Sequence, residues 1–234
     1  MTVDYFAGAV AVRYDGGDHS SAEAVVPVVD FLEPLAVAGG ALELAIGTGR
    51  IALPLAARGV RVAGIDLSPD MVAVLRAKPG GADLPVVLGD MTTTRVDGVF
   101  SLVYLVFNTI GNLTTQEAQI ACFQNAAAHL APGGSFVIET GVHPAERLSV
   151  FHLSDTHAGI DEYDAATQRL VSHHFSLVDG AWERRSIPFR SVSAAELDLM
   201  ARSAGMDLAE RWGGWHREPF TADSSSHVSV WRLP

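Results

Sequence analysis

Short apolar runs alternate with helix-like segments along the first 140 residues of the chain. Buried parallel strands have nearly continuous apolar sequences, and helices connect them. The pattern therefore predicts an α/β fold of the doubly wound type with right-handed crossovers. An apolar-periodic stretch ending at Leu35 predicts a helix before the first strand. The predicted strands of this part are 41–45, 60–65, 85–88, 99–107 and 135–139.

Two later helices begin at sequences that resemble capping boxes. Thr114 with Glu117 predicts the start of one helix, and Ser193 with Glu196 predicts the start of another. We expect the first of these helices to end near Leu130, where a Pro-Gly-Gly sequence follows.

The pattern changes after residue 140. Residues 169–178 and 181–190 flank Asp179-Gly180, a dipeptide favoured in type I′ hairpin turns, which predicts an inserted antiparallel hairpin. Two more predicted strands, about 206–212 and 227–233, complete the main sheet. The predicted fold is therefore a Rossmann-like, seven-stranded and mostly parallel sheet with an antiparallel last strand and a hairpin cap. We expect three regions, namely the core at 1–140 with an N-terminal helical segment, the cap at 141–190 and the completion of the sheet at 191–234.

Composition and charge narrow the functional classes. Hydrophobic residues make up 48% of the chain and charged residues 18%, as in globular proteins. The formal net charge of −11 opposes binding to nucleic-acid phosphates. The single cysteine, Cys122, excludes a disulfide within the chain, and no segment has the length of apolar sequence that a membrane span needs. With no secretion signal at the N-terminus, we expect a cytoplasmic protein that binds neither nucleic acid nor a membrane.

A glycine-rich turn lies between the first predicted strand and the helix that follows it. Gly47 and Gly49 allow a ligand to approach the backbone closely. With Ala52 they fit the dinucleotide fingerprint, and Asp66 follows at the spacing of a ribose-binding acid. Taken alone, this segment leaves an NAD(P)-dependent oxidoreductase open as an alternative.

Motifs at residues 43–49, 64–71, 89–91 and 131–135 follow one another along the chain, and with them the sequence across residues 42–139 resembles the class I S-adenosylmethionine-dependent methyltransferases. Residues 43–49 are similar to the first motif of that family, with Ala45 in place of the more common first glycine. Residues 64–71 are similar to the motif of the second strand, 89–91 to the motif that holds adenine, and 131–135 to the turn before the fifth strand. Four matches in the right order favour this family, because the dinucleotide fingerprint explains only the first two.

The resemblance implies S-adenosylmethionine as methyl donor and S-adenosylhomocysteine as product. It implies that Asp66 binds the ribose hydroxyls, that Asp90 and Met91 hold adenine, and that Glu43 reaches the amino end of the donor. Tyr14 lies in a segment that resembles the N-terminal Tyr-Asp segment of small-molecule members and would cover the sulfonium. The expected cofactor-binding residues are Tyr14, Glu43, Ala45, Gly47, Gly49, Asp66, Leu67, Met71, Asp90, Met91 and Phe107.

The expected reaction transfers the methyl group to an oxygen or nitrogen of a small organic acceptor by in-line displacement. A general base is optional for an amine and useful for a hydroxyl, and His143 and His216 are the candidates. We expect no metal, because the chain lacks a recognisable set of metal ligands. A catalytically silent S-adenosyl-binding module stays open as an alternative.

The aromatic side chains of the insertion suit a lid over a small organic substrate. A satellite core and an edge that forms a homodimer fit these residues equally well.

Overall fold

The computed structural model describes residues 4–36, 39–142 and 146–234. The helices are α1 Ala9–Arg13, α2 Ala22–Ala36, α3 Ala52–Ala57, α4 Pro69–Arg76, α5 Gln116–Ala127 and α6 Ala194–Ser203. The strands are β1 Ala41–Leu44, β2 Val62–Asp66, β3 Val86–Leu88, β4 Phe100–Leu105, β5 Leu130–Gly141, β6 Leu148–Leu153, β7 His157–Asp164, β8 Arg169–Val178, β9 Ala181–Arg190, β10 Asp207–Trp212 and β11 Ser226–Arg232.

Seven strands form the main sheet in the order β10-β11-β5-β4-β1-β2-β3. The strands β1 to β5 pair in parallel, whereas β11 is antiparallel to both of its neighbours. This arrangement confirms the predicted Rossmann-like, mostly parallel sheet with an antiparallel last strand. The chain order reverses between β1 and β4, so the carboxyl ends of these strands flank the crevice where such sheets bind ligands.

Helices cover both faces of this sheet. On one face, α2 and α3 bury Leu32 and Leu55 against the strands. On the other face, α5 and α6 enclose an aromatic group in which the Phe123 ring meets the rings of Phe136 and Trp231 edge-on, at centroid distances of 5.1 and 5.3 Å. Burial of both sheet faces explains why the central strands are almost wholly apolar in sequence.

Helix α5 differs from its predicted bounds at both ends. Its N-cap is Thr115, not Thr114, because the Thr115 hydroxyl accepts a hydrogen bond from the backbone N–H of Ala118 at 3.2 Å. The helix ends at Ala127, so the Pro-Gly-Gly sequence does not end it and lies inside β5 instead. The register of β5 against β4 shifts at this point, and the extra residues are accommodated as an irregularity of the strand.

The cap is a separate antiparallel sheet of four strands in the order β6-β7-β8-β9. The predicted hairpin of β8 and β9 is confirmed, and both turn residues have the positive φ of a type I′ turn, 51° at Asp179 and 81° at Gly180. The prediction missed β6 and β7. Strand β6 is exposed along nearly its whole length. The predicted division into three regions stays a prediction.

None of the helices formed by the described residues is long and apolar enough to cross a membrane.

Candidate active site

A cavity of about 380 Å³ opens at the carboxyl ends of β1, β2, β3 and β4. Most of the residues expected to bind the cofactor line it, although they come from five separate parts of the chain. Those that line the cavity are Tyr14, Glu43, Ala45, Gly47, Asp66, Leu67, Met71, Asp90, Met91 and Phe107.

The turn after β1 has an unusual backbone conformation. Ala45, Gly47 and Gly49 have φ values of 55°, 57° and 74°, in the left-handed region. A Cβ atom on Gly47 would lie 3.2 Å from Met71 Cε, and one on Gly49 would lie 3.0 Å from the Leu75 side chain. Gly47 therefore keeps the floor of the cavity open. Gly49 does not line the cavity. A glycine is required at this position because α4 packs closely behind the turn.

Asp66 ties the end of β2 to this turn. Its Oδ2 accepts a hydrogen bond from the Gly47 N–H at 2.6 Å, and its Oδ1 accepts one from the Ser68 N–H at 2.8 Å. Burial raises the pKa of this carboxyl, and the two backbone donors oppose that rise. Two N–H groups thus fix the carboxylate at the cavity wall, and each oxygen keeps a further lone pair for a ligand hydroxyl.

Glu43 is a buried acid at the end of β1. Its Oε2 accepts a hydrogen bond from the Tyr104 hydroxyl at 3.0 Å. Burial raises its pKa to about 8, while the Arg50 guanidinium favours the ionised form. A cationic group that enters the cavity lowers this pKa, because the added positive charge favours the ionised carboxylate. Glu43 then loses its proton and carries a negative charge.

The N-terminal segment closes one side of the cavity. Asp15 holds it on the glycine turn, since its carboxylate accepts from the Thr48 hydroxyl at 2.7 Å and pairs with Lys78 at 2.5 Å. This contact brings Tyr14 to the cavity wall, where burial raises the pKa of the phenol to about 12. The Tyr14 phenol is therefore neutral beside the cavity.

The loops after β3 and β4 also line the cavity. Asp90 Oδ1 accepts hydrogen bonds from the Thr92 backbone N–H at 2.8 Å and from its hydroxyl at 2.7 Å. After β4, Phe107 has a φ of 61°, and its N–H donates to Glu139 Oε2 at 2.5 Å. The Phe107 ring is covered by the Arg50 guanidinium, 4.8 Å from the ring centroid.

Beyond Phe107 the cavity continues between the turn at 109–114 and the edge of the cap. Pro188 of β9 lines this end together with four residues of the turn. Close packing of the turn against β9 holds the two walls together, since a Cβ on Gly111 would lie 3.2 Å from the Phe189 ring. The turn residues that line this end are Thr109, Asn112, Leu113 and Thr114.

The sequence prediction missed several wall residues. Asp4, Tyr5 and Phe6 line the cavity, yet nothing in their spacing marks them as site residues. Arg50 also lines it and directly follows the glycine turn, a position that could have identified it.

The two catalytic histidine candidates have different outcomes. His143 lies outside the described residues. His216 is an exposed residue of the loop after β10, and it does not line the cavity. Its neighbour Trp215 packs edge-on against Phe31 of α2, at a centroid distance of 5.4 Å. A catalytic role of either histidine stays a prediction, and the cavity geometry gives His216 no support. Among the described residues, no cluster of three or more His, Cys, Asp or Glu side chains is arranged to hold a metal ion.

Comparison with known proteins gives consistent results. Residues 41–134 match the family of the methyltransferase domain. The chain is 32% identical over 201 residues to the cypemycin N-terminal methyltransferase of a Streptomyces species, with 81% of each chain covered. It is 31% identical to the dTDP-3-amino-3,6-dideoxy-alpha-D-glucopyranose N,N-dimethyltransferase of Streptomyces fradiae, covering 72% of this chain and 66% of that one. The solved CcbJ methyltransferase of Streptomyces caelestis is 33% identical, covers 99% of both chains and superposes with a TM-score of 0.86.

Proposed function

The chain belongs to the class I S-adenosylmethionine-dependent methyltransferases of small molecules, and on that premise we propose that its methyl acceptor is an amino nitrogen. The nicotinamide-dependent oxidoreductase considered from the glycine turn is thereby excluded. The proposal concerns the acceptor atom and the roles of the cavity residues.

We propose that the methyl donor binds in the part of the cavity where acids and aromatic residues lie at the carboxyl ends of the strands. Asp66, fixed by two backbone N–H groups, accepts hydrogen bonds from the ribose hydroxyls. Asp90 accepts from the adenine amine, and Met91 packs on the adenine ring. Glu43 binds the amino end of the donor, which favours the ionised form of this carboxyl.

S-adenosylmethionine supplies a methyl group on a sulfonium, which an acceptor nucleophile takes by in-line displacement. The chain's part is to align the acceptor and to exclude water. Tyr14 lines the cavity, and an aromatic ring stabilises a neighbouring cationic group. The same ring favours the positive charge that develops on an amine as it takes the methyl group.

One observation carries the assignment to nitrogen. The wall beyond Phe107, formed by the turn 109–114 and Pro188, is lined by neutral side chains, and no described residue there is an acid or a base. A hydroxyl acceptor gains from a positioned base at this place, whereas an amine needs only to be in its neutral form. The names of the two curated relatives, an N-terminal methyltransferase and an N,N-dimethyltransferase, agree with this chemistry.

The test is methyl transfer to matched acceptor pairs, measured by mass spectrometry with the full chain. The two members of each pair differ in one group. The first pair is a thymidine-diphosphate-linked 3-aminohexose and its 3-hydroxy counterpart. The second pair is a tripeptide with a free amino terminus and the analogue in which a hydroxyl replaces the terminal amine. We expect product only from amino members, with a rate that rises with pH as the amine loses its proton. Transfer to a hydroxy member, or no transfer to any amine, contradicts the proposal.

The cytoplasmic location and the homodimer expected from the sequence stay predictions. Neither bears on the chemistry of the cavity.

A further inference from the structure

Arg50 is the only cationic side chain among the described residues that line the cavity. The carboxyl-bearing residues of the same wall are Asp4, Glu43, Asp66 and Asp90. The amino-acid end of the donor carries a carboxylate as well as an ammonium, and a carboxylate among ionised acids is repelled unless a cation lies beside it. Of the side chains that line the cavity, Arg50 alone can therefore supply this counter-charge.

The guanidinium of Arg50 is held in place by two contacts. Its Nη1 donates a hydrogen bond to the carbonyl oxygen of His19 at 2.7 Å, and its Cζ lies 4.8 Å from the centroid of the Phe107 ring. The His19 ring stacks on the same Phe107 ring at a centroid distance of 4.9 Å, so both contacts belong to one packed group. A guanidinium fixed in this way loses less conformational entropy when it binds a ligand.

The other edge of this guanidinium is available to a ligand. Nε and Nη2 donate to none of the described residues, and neither is a buried atom without a partner. No carboxylate of the described residues lies within ion-pair distance of Arg50. The N–H groups of Nε and Nη2 are parallel and match the two oxygens of a carboxylate. Arg50 thus brings a charge and a free bidentate edge to the cavity wall.

Glu43 and Arg50 lie on either side of the glycine turn. Glu43 belongs to β1, Arg50 directly follows Gly49, and both side chains line the cavity without forming an ion pair with each other. The donor carries its ammonium and its carboxylate on one carbon atom. An acid and a cation that line the same cavity, and that are not already paired, can each meet one of these charges.

We infer that Arg50 binds the carboxylate of the donor's amino-acid end, and that this contact lets the enzyme distinguish S-adenosylmethionine from its decarboxylated form. The inference rests on the proposed function, because it takes the ammonium of the donor to lie at Glu43. A ligand without the carboxylate forms no charge-assisted pair with Nε and Nη2, so it binds more weakly. Arg50 is therefore a residue that determines donor specificity.

Isothermal titration with three ligands that cannot donate a methyl group tests this contact without turnover. S-adenosylhomocysteine has the complete amino-acid end, its decarboxylated counterpart lacks only the carboxylate, and 5′-methylthioadenosine lacks both charged groups. Arg50→Met removes the charge and keeps much of the side-chain length. Arg58→Met is the matched control, because Arg58 carries the same charge, lies at the opposite end of α3 and does not line the cavity.

We expect the wild type to bind S-adenosylhomocysteine about tenfold or more tightly than the decarboxylated ligand. Arg50→Met should bring the two affinities close together and leave the affinity for 5′-methylthioadenosine unchanged, whereas Arg58→Met should keep the wild-type ratio. Arg50→Lys keeps the charge without the paired N–H groups, so it should keep only part of the ratio. Arg50→Gln serves as a second neutral variant if the methionine variant does not fold.

The inference is wrong if the wild type binds S-adenosylhomocysteine and the decarboxylated ligand equally, or if Arg50→Met keeps the wild-type ratio of the two affinities. It is also wrong if Arg50→Met weakens all three ligands alike, because Arg50 would then only support the cavity wall through His19 and Phe107.

The proposed function fails in different measurements. Glu43→Gln should weaken S-adenosylhomocysteine and the decarboxylated ligand to the same extent, since both carry the ammonium. Wild-type affinity of that variant for both ligands would contradict the role of Glu43, and methyl transfer to a hydroxyl in the matched pairs would contradict the amine acceptor. Neither result changes the affinity ratio by which Arg50 is judged.

Discussion

Ala45 has a left-handed backbone, with a φ of 55°, at the position where the family more commonly has glycine. Residues with a Cβ pay about 1–2 kcal/mol for this conformation. Ala45 adopts the same left-handed backbone that a glycine would adopt here, and it lines the cavity. Its methyl group therefore strains the backbone at this position.

Ala45→Gly should therefore stabilise the protein. Relief of the left-handed strain exceeds the entropy that glycine loses on folding, and we expect a net gain of roughly 0.5–1 kcal/mol in the free energy of unfolding. Urea denaturation measures it. Gly49→Ala is the opposite control, because that residue has a φ of 74° and its Cβ would press on Leu75, so the variant should lose stability. An Ala45→Gly protein less stable than the wild type would show that the methyl group contributes packing that outweighs the strain.

At individual positions, the sequence predicted those residues of the cavity wall that lie in ordered motifs. Asp66 was predicted because it ends an apolar strand at a fixed distance from the glycine turn, and the structure joins it to Gly47 by a hydrogen bond. Tyr5 and Pro188 were not predicted, because their place in the wall depends on how the N-terminal segment and the cap fold back over the sheet. Such long-range packing leaves no local pattern in the sequence.

Among the secondary-structure elements, helix α5 shows how a local signal can be displaced by one residue. Thr114 and Thr115 are adjacent hydroxyls, and only Thr114 has a glutamate three positions later. The structure nevertheless uses Thr115, whose hydroxyl accepts from the Ala118 N–H. Thr114 turns to the cavity instead, so tertiary structure decides between two chemically equivalent caps.

Thr115→Ala should cost about 1 kcal/mol of unfolding free energy, because it removes the side-chain acceptor at the start of α5. Thr114→Ala, the matched control, should change stability by less than about 0.5 kcal/mol, since Thr114 is exposed and caps no helix. Thermal denaturation of the two variants side by side compares the effects. A larger loss of stability in Thr114→Ala would show that Thr114 is the N-cap, as the capping box in the sequence predicts.

The cap was only half predictable for a related reason. The turn dipeptide Asp179-Gly180 requires positive φ at both residues and so identifies the hairpin of β8 and β9. Strand β6 has no turn dipeptide of this kind beside it, and it lies at the edge of the small sheet with apolar side chains such as Val150 and Leu153 exposed. Its partner β7 mixes acids with small residues, a composition that predicts a loop.

Over the whole molecule, the negative net charge agrees with the acids that line the cavity. The chain has a formal net charge of −11, and acids such as Asp66 and Asp90 line the cavity, an environment that favours a cationic donor and an amine acceptor. A ligand with an anionic group would be repelled by this field unless a local cation compensated it. Arg50, which lines the same cavity, supplies one such cation.

The central claim is that the cavity at the strand ends of the main sheet holds the methyl donor, with Asp66 as its ribose ligand. The most direct measurement is isothermal titration of S-adenosylhomocysteine into the wild type, Asp66→Ala and Asp66→Asn. Asp83→Ala serves as the control, because it removes the same charge from an exposed loop. We expect a loss of about 1.5–3 kcal/mol in the Asp66→Ala variant, which is a weakening of roughly ten- to hundredfold, and no loss in the control. Wild-type affinity in a folded Asp66→Ala protein would contradict the claim.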